Sequence, residues 1–420
     1  MTPAQRFCEV SVISRPLYLR QLLAGSPTPV LKVVTGMRAS GKTTLLALYR
    51  EALTEQGACA DNIVSADFSP RAHDGLRDAE SLVHFVTERV RGLKGKLYLL
   101  LDGIERVGNW PKAVKSLHKT LDCDITVTGT NTQMLSDLAT EVGEIPCTEI
   151  RLRPLTFPEF LQFAGAGEPR ATEAELFRRF LMFGGLPGIH AFRDDSPKSR
   201  YPEDILYAAL LRDVVVRHSV RDSDLLLWIL RSVAGNAGKP FSVKETSARL
   251  RAEGRKLGVQ TVYDYLGFLE EACLIERARR RDIKTGKRFK NQERIFAADI
   301  GIRYALTGEV PEDDSLLENV VYLALKSAGA DVTVGRVGGV DACLVAEKNG
   351  RRAYVRVCGV MTAENRDREV TPLLRIRDSY PKLILTLSPL TEGNTEGVET
   401  VNLIEFLKNV AAFARFTTSG

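Results

Sequence analysis

A chain of 420 residues, 44% hydrophobic and 26% charged, has room for roughly two to four ordinary globular domains and lies outside the collagen-like, disordered and disulfide-scaffold classes. A net charge of +5 is too mild to name a nucleic-acid partner, so the distribution of charge matters more than its sum. No apolar run approaches the ~18 residues of a membrane span, and Arg6 and Glu9 interrupt any signal-peptide pattern, so the reading is a cytoplasmic protein with no membrane partner. The 7 cysteines are dispersed, odd in number and without a C-x-x-C pair, which suits reduced, buried thiols. The 5 histidines are scattered too, and no zinc site is expected.

In chain order, the first informative stretch is Gly36-Met37-Arg38-Ala39-Ser40-Gly41-Lys42-Thr43. It fits G-x-x-x-x-G-K-[ST], the phosphate-binding P-loop. The β-branched run Leu31–Thr35 before it reads as a strand, and Thr44–Tyr49 after it as a helix. Strand, loop and helix together make an anion cradle from loop N–H groups and a helix N-terminus. Gly36 to Thr44 are therefore the candidate ATP-binding residues. Lys42 is expected to reach the β- and γ-phosphates and the Thr43 hydroxyl to ligate Mg²⁺.

Asn62–Phe68 reads as a second strand and Lys96–Asp102 as a third, a buried apolar run that ends in an acid. At that strand end Asp102 is the second candidate for Mg²⁺, beside Thr43; alone, it would read as a turn acid. Asp124–Asn131 reads as a fourth strand with a polar end. Thr130 or Asn131 is a candidate γ-phosphate sensor that helps place the attacking water, and a plain turn is the alternative. The catalytic candidates are thus Lys42, Asp102 and Asn131.

From Tyr18–Leu23 and Val33–Gly36, through Leu101-Asp102-Gly103-Ile104-Glu105 and Thr128-Gly129-Thr130-Asn131, to Pro154–Phe160 and Phe183-Gly184-Gly185-Leu186-Pro187, the chain resembles the bacterial and archaeal AAA-type ATPases that join a P-loop core to a C-terminal nuclease-like domain. The G-G-x-P tag resembles the lid of the STAND-like branch. The resemblance implies an α/β fold: a P-loop NTPase core with a parallel sheet, a helical lid, a winged helix-turn-helix and a C-terminal α/β domain of restriction-endonuclease type. The corresponding boundaries are 1–153, 154–230, 231–300 and 301–420.

Two departures from that family bear on turnover. Its usual L-D-E-I-Q becomes Leu101-Asp102-Gly103-Ile104-Glu105, so glycine stands where a carboxylate polarises the attacking water, a role worth about 10²–10⁴-fold. Were the strand to continue, Glu105 would share a face with position 103, ~6–7 Å further along. Further on, Gly143-Glu144-Ile145-Pro146 stands where the family carries a G-R, a candidate arginine finger worth about 10³–10⁵ in rate.

Residues 173–228 read as helical. Within them Arg212, Arg217 and Arg221 are candidate nucleotide sensors, with a solvated face or ion pairs to Asp213 and Asp222 as the alternative. Phe241–Phe296 reads as a winged helix. It has a capping-box start at Ser242–Glu245, a helix from Thr261 to Leu269, and a strand–turn–strand over 276–296 with Lys284–Lys287 at the tip. Arg277 to Arg294 carries nine positive residues, including Arg279, Arg280, Arg281, Arg288 and Lys290, against Asp282 and Glu293. DNA is the candidate partner of this wing; an intramolecular dock onto an acidic face is the alternative.

Beyond it, a helix at Leu317–Tyr322 and strands at 331–334, 340–346, 353–357 and 383–387 resemble the PD-(D/E)xK nuclease order. Glu318 and Asp341 remain, but the E-x-K triplet reads Arg356-Val357-Cys358, which removes a metal ligand and the lysine. The expectation is an ATP- and Mg²⁺-binding switch or adaptor with weak or absent hydrolysis, associated with DNA or with a protein partner. The alternative is an active motor or remodelling ATPase that uses Glu105 and a lid arginine.

Overall fold

The computed structural model describes residues 13–24, 29–69, 76–143, 145–165, 171–255, 258–289, 293–308, 314–388 and 393–410. Arg6, Cys8, Glu9, Glu144 and Lys290 lie outside the described residues. The chain forms two compact units. The first comprises residues 1–154 with 208–214 and 271–273, and the second 155–207, 215–270 and 274–420.

The first unit runs α1 (Pro16–Leu23), β1 (Leu31–Thr35), α2 (Lys42–Glu55), β2 (Ile63–Asp67), α3 (Ala79–Arg89), β3 (Leu97–Asp102), α4 (Trp110–Thr120), β4 (Cys123–Gly129), α5 (Met134–Val142) and β5 (Cys147–Arg151). The five strands are parallel, in the order β2-β3-β4-β1-β5. β1 and β4 are buried along their whole length, as strands covered on both faces must be. Alternation divides their side chains between two cores. Val33, Leu99, Leu101, Ile125 and Val127 pack with Leu82, Val114 and Leu117. Val34, Leu100 and Ile150 pack with Leu22, Leu45, Tyr49 and Leu53. β4 lies between the P-loop strand and the strand ending in Asp102, so their carboxyl ends share one rim, where ligands of open α/β sheets bind.

In the second unit the helices are α6 (Phe157–Gly165), α7 (Glu173–Phe183) and all but the end of α8 (Asp195–Ala209); after the π-turn at Leu210–Val215, which as far as Val214 belongs to the first unit, come the short α9 (Val216–His218), α10 (Ser223–Gly235), α11 (Val243–Ala252) and α12 (Val259–Glu271). α7 starts at a reciprocal capping box between Thr172 and Glu175. At α11 only half of the expected box forms, the Glu245 N–H donating to Ser242 Oγ at 3.3 Å. The Gly184–Gly185 tag joins distant segments of the unit: Leu155 N–H donates to Gly185 O at 2.6 Å, and Gly185 N–H to Asp299 Oδ2 at 2.7 Å.

The rest of the unit runs β6 (Ile275–Ala278), β7 (Arg280–Asp282), β8 (Arg294–Ala297), α13 (Ile300–Thr307), α14 (Ser315–Ser327), β9 (Asp331–Val337), β10 (Val340–Lys348), β11 (Arg351–Val357), α15 (Ala363–Leu374), β12 (Lys382–Thr386), β13 (Gly393–Thr395), β14 (Val398–Asn402) and α16 (Leu403–Asn409). Seven strands form one sheet, in the order β13-β14-β12-β11-β10-β9-β7.

That sheet amends the expected strand–turn–strand over 276–296, which forms but shares one of its strands with it. Its outer arms do pair, β6 antiparallel to β8. Nearer the tip Arg281 bridges Arg288 antiparallel, with Asp282 N–H donating to Lys287 O and Phe289 N–H to Arg280 O, each at 2.9 Å; on its other side β7 adds in parallel to β9 at the edge of the large sheet. The cysteine expectation is corrected as well. The described cysteines are free thiols, but Cys59 is exposed and Cys147 half-buried. No helix among the described residues is long and apolar enough to cross a membrane.

Candidate nucleotide site

The loop between β1 and α2 is held from within. Ser40 N–H donates to Met37 O at 3.2 Å, and the chain passes through left-handed conformations at Ala39 (φ 63°) and Gly41 (φ 98°) before α2 begins at Lys42. Lys42 Nζ donates to Gly36 O at 2.8 Å and to Met37 O at 2.9 Å. The lysine thus arches over its own loop with two of its three N–H groups engaged. Burial pushes its pKa down, while Glu105, Cys273, Asp102 and Asp213 hold it up. The first N–H groups of α2, at Lys42, Thr43 and Thr44, have no acceptor within the helix and carry its positive dipole end.

Across from the lysine, Thr43 Oγ1 donates to Asp102 Oδ2 at 2.6 Å. The other oxygen, Oδ1, accepts from the Thr128 hydroxyl, and Thr128 Oγ1 accepts from Gly103 N–H at 2.9 Å. The predicted metal residues therefore meet, and the β4 strand between them fixes the carboxylate. A hydroxyl and a carboxylate are the hard oxygen donors that suit Mg²⁺, which keeps water and phosphate oxygens as its remaining ligands. Thr43 and Asp102 are the residues that would hold it; the ion would neutralise charge on the phosphates.

The strand ends at Asp102, so the condition under which Glu105 would share a face with position 103 is not met. Gly103 adopts φ 71°, ψ 35° and opens a short 3₁₀ turn, Ile104–Arg106. That left-handed conformation costs roughly 1–2 kcal/mol for other L-residues, so the glycine belongs to the turn as much as it vacates the family's glutamate position. The turn carries Glu105 to the end of β4, where its Oε1 accepts from Thr130 N–H at 3.2 Å and Thr130 Oγ1 at 3.3 Å. Its Oε2 is buried without a partner. Asn131, the sensor candidate, is buried and caps a turn, with Oδ1 accepting from Gln133 N–H at 2.7 Å. Its Nδ2 is unpartnered, as is the buried Ser40 Oγ. Buried polar atoms of this kind are uncommon in folded proteins unless a ligand or water completes them.

Of the lid candidates, Arg212, Arg217 and Arg221 are exposed. From that stretch it is Asp213, read in the sequence only as a counter-ion, that meets the loop: Arg38 holds it with Nε to Oδ2 at 3.1 Å and Nη2 to Oδ1 at 2.6 Å. The sequence signal was a cation inside the loop motif, whose partner lies 175 residues away.

The second unit treats its charges differently. Glu318 is gripped by both terminal nitrogens of Arg294. Asp341 pairs with Arg280 at 2.6 Å and Arg336 at 3.4 Å. Arg356, read in the sequence against the glutamate of an E-x-K triplet, pairs with Glu369 at 2.7 Å and donates to Ala342 O at 2.6 Å. Among the described residues no group of three or more His, Cys, Asp or Glu is placed to hold a metal. The basic wing is likewise spoken for: Arg277 pairs with Glu270 and Glu293, Arg281 with Glu347 at 2.8 Å, and Arg288 with Asp331 at 3.3 Å. Arg279, Lys284 and Lys287 are exposed.

Comparison with known proteins fits the first part of this picture. A family profile described as an AAA domain matches residues 29–161, and one described as a domain of unknown function matches 174–313. An uncharacterized protein of Haemophilus influenzae is 29% identical over 399 residues, 94% of this chain and 99% of its own length. Uncharacterized protein MJ1544 of Methanocaldococcus jannaschii is 26% identical over 414 residues, 92% of this chain and 88% of its own. The Aeropyrum pernix ORC2 protein structure is similar with a TM-score of 0.38 at 15% identity, covering 73% of this chain and 91% of that one. A STAND protein of Pyrococcus horikoshii has a TM-score of 0.29 at 15% identity, covering 75% and 45%. Both likenesses are distant. The AAA-domain match supports a P-loop domain of AAA type in the first unit, with the nucleotide binding that this type implies.

Proposed function

We propose that this protein is a nucleotide-dependent switch that binds MgATP in its first unit and hydrolyses it slowly. One observation carries the reading: the binding groups are complete, with Lys42 arched over the loop and Thr43 on Asp102, while the residue after Asp102 is a glycine in a left-handed turn. Lys42 and the loop N–H groups bind the phosphates, and Thr43 and Asp102 hold the metal. Equilibrium ATP binding and steady-state turnover, measured on wild type and Lys42→Ala, test it. Stoichiometric binding that Lys42→Ala removes, with little phosphate release, is expected.

A second reading, an active ATPase, is favoured by the unpartnered Glu105 Oε2, which would accept a proton from the attacking water. Turnover that is fast in wild type and lost in Glu105→Gln would establish it in place of the first.

In the same reading, α10–α12 with β6 and β8 form a winged helix, and the seven-stranded sheet is a restriction-endonuclease-like scaffold without its metal chemistry. DNA contact would then rest on Arg279, Lys284 and Lys287 rather than on the whole basic run. If so, the slope of log affinity against log salt is about −3, and charge reversal at those three abolishes binding. A much steeper slope would mean that the paired arginines take part.

A further inference from the structure

We infer that Arg38 is the residue by which this site tells ATP from ADP, exchanging the Asp213 carboxylate for the γ-phosphate when a triphosphate binds. The inference rests on the nucleotide-binding reading above. Arg38 is the third residue of the phosphate loop, and its guanidinium grips Asp213 through Nε and Nη2, the two-pronged geometry that also fits two phosphate oxygens. The pair is well shielded, with the side chains 20% and 9% exposed. Arg38 and Lys42 belong to the same phosphate loop, so a γ-phosphate drawn to Lys42 adds negative charge near the Arg38–Asp213 pair and offers Arg38 an acceptor of the same shape. The β-phosphate at the end of ADP brings less charge to that point and leaves the pair closed. Asp213 stands on the π-turn Leu210–Val215, an irregular helical segment of the kind that recurs at functional sites.

The test compares affinities for ADP and for a non-hydrolysable β,γ-analogue of ATP, by displacement of a fluorescent nucleotide, in wild type, Arg38→Ala, Arg38→Lys and Asp213→Asn. Thermal melting of each variant without nucleotide reports on folding. Arg38→Ala is expected to weaken the triphosphate about tenfold or more, the scale of a charge-assisted hydrogen bond, and ADP less than about twofold. Arg38→Lys, which keeps the charge but not the fork, recovers part of the loss. Asp213→Asn removes the competitor and strengthens the triphosphate relative to ADP. Equal loss of both nucleotides in Arg38→Ala, or an unchanged ratio in Asp213→Asn, overturns the inference while leaving nucleotide binding intact. Wild-type protein that binds neither nucleotide overturns the reading on which the inference stands, and the inference with it.

Discussion

The P-loop rim of the first unit and the acid cluster of the second contain similar residues, and the difference between them lies in what those residues already hold. At the rim, Lys42 gives two N–H groups to its own loop, Glu105 keeps one buried oxygen unpartnered, and Asn131 and Ser40 each keep a buried polar atom unpartnered. In the cluster, Glu318, Asp341 and Glu369 each carry at least one arginine. A buried charge without a partner costs several kcal/mol. A buried polar atom left open is therefore a candidate for completion by a ligand or water, and the rim has several, where the cluster's acids are closed by counter-charges and Arg294 keeps an open Nε. The proposed reading takes the open atoms of the rim as waiting for a nucleotide and the acids of the second unit as a structural ion network.

The comparison breaks most readily at Arg294. Replacing it by Met strands Glu318, whose pKa burial already pushes up against the pull of Arg294. Urea denaturation should show a loss of about 3–5 kcal/mol, and Arg294→Met with Glu318→Leu should restore most of it. A loss below about 1 kcal/mol would mean that the pair is not structural. Next in size, Lys42→Ala should weaken ATP about a hundredfold in a direct titration, the scale of one to two lost charge-assisted hydrogen bonds, with an unchanged melting temperature.

A pH effect comes third. His190 rests against Phe160 and Phe163 at centroid distances of 4.8 and 5.3 Å; burial, with Lys198 adding to it, lowers its pKa to about 4. A depressed folded-state value means that the neutral form is stabilising above the ordinary value near 6.5, and that stability is lost as pH falls from there through about 4. Denaturation curves should show the second unit weakening by about 1–3 kcal/mol over that window, and His190→Phe should flatten the dependence. Smallest, Gly103→Ala should cost about 1 kcal/mol through its positive φ without raising ATP turnover. An increase in turnover would show that the turn, rather than the missing carboxylate, limits the chemistry.

The P-loop and its flanking strand and helix were legible because their signal is contiguous: each residue's role depends on neighbours within one loop. The buried strands were legible for the same reason. The turn at Gly103 was not, since alternation along β3 gives no warning that the backbone changes hand after Asp102 and brings Glu105 back to Thr130. The wing misled for the opposite reason. A local charge count sees nine cations, but several of the acids that neutralise them lie far along the chain, Glu318 being 24 residues from Arg294 and Glu347 being 66 from Arg281. The Arg38–Asp213 pair was hidden in the same way, its two halves sitting in separate motifs.

The central claim, that the first unit holds ATP more readily than it cleaves it, is tested most directly by loading the protein with one equivalent of γ-labelled ATP and Mg²⁺ and following the fate of the bound nucleotide. The account predicts stoichiometric, Lys42-dependent retention, with the γ-phosphate still attached after many minutes. Failure to bind, or release of phosphate faster than roughly one per minute, above the intrinsic rate of a P-loop GTPase without its arginine finger, would contradict it.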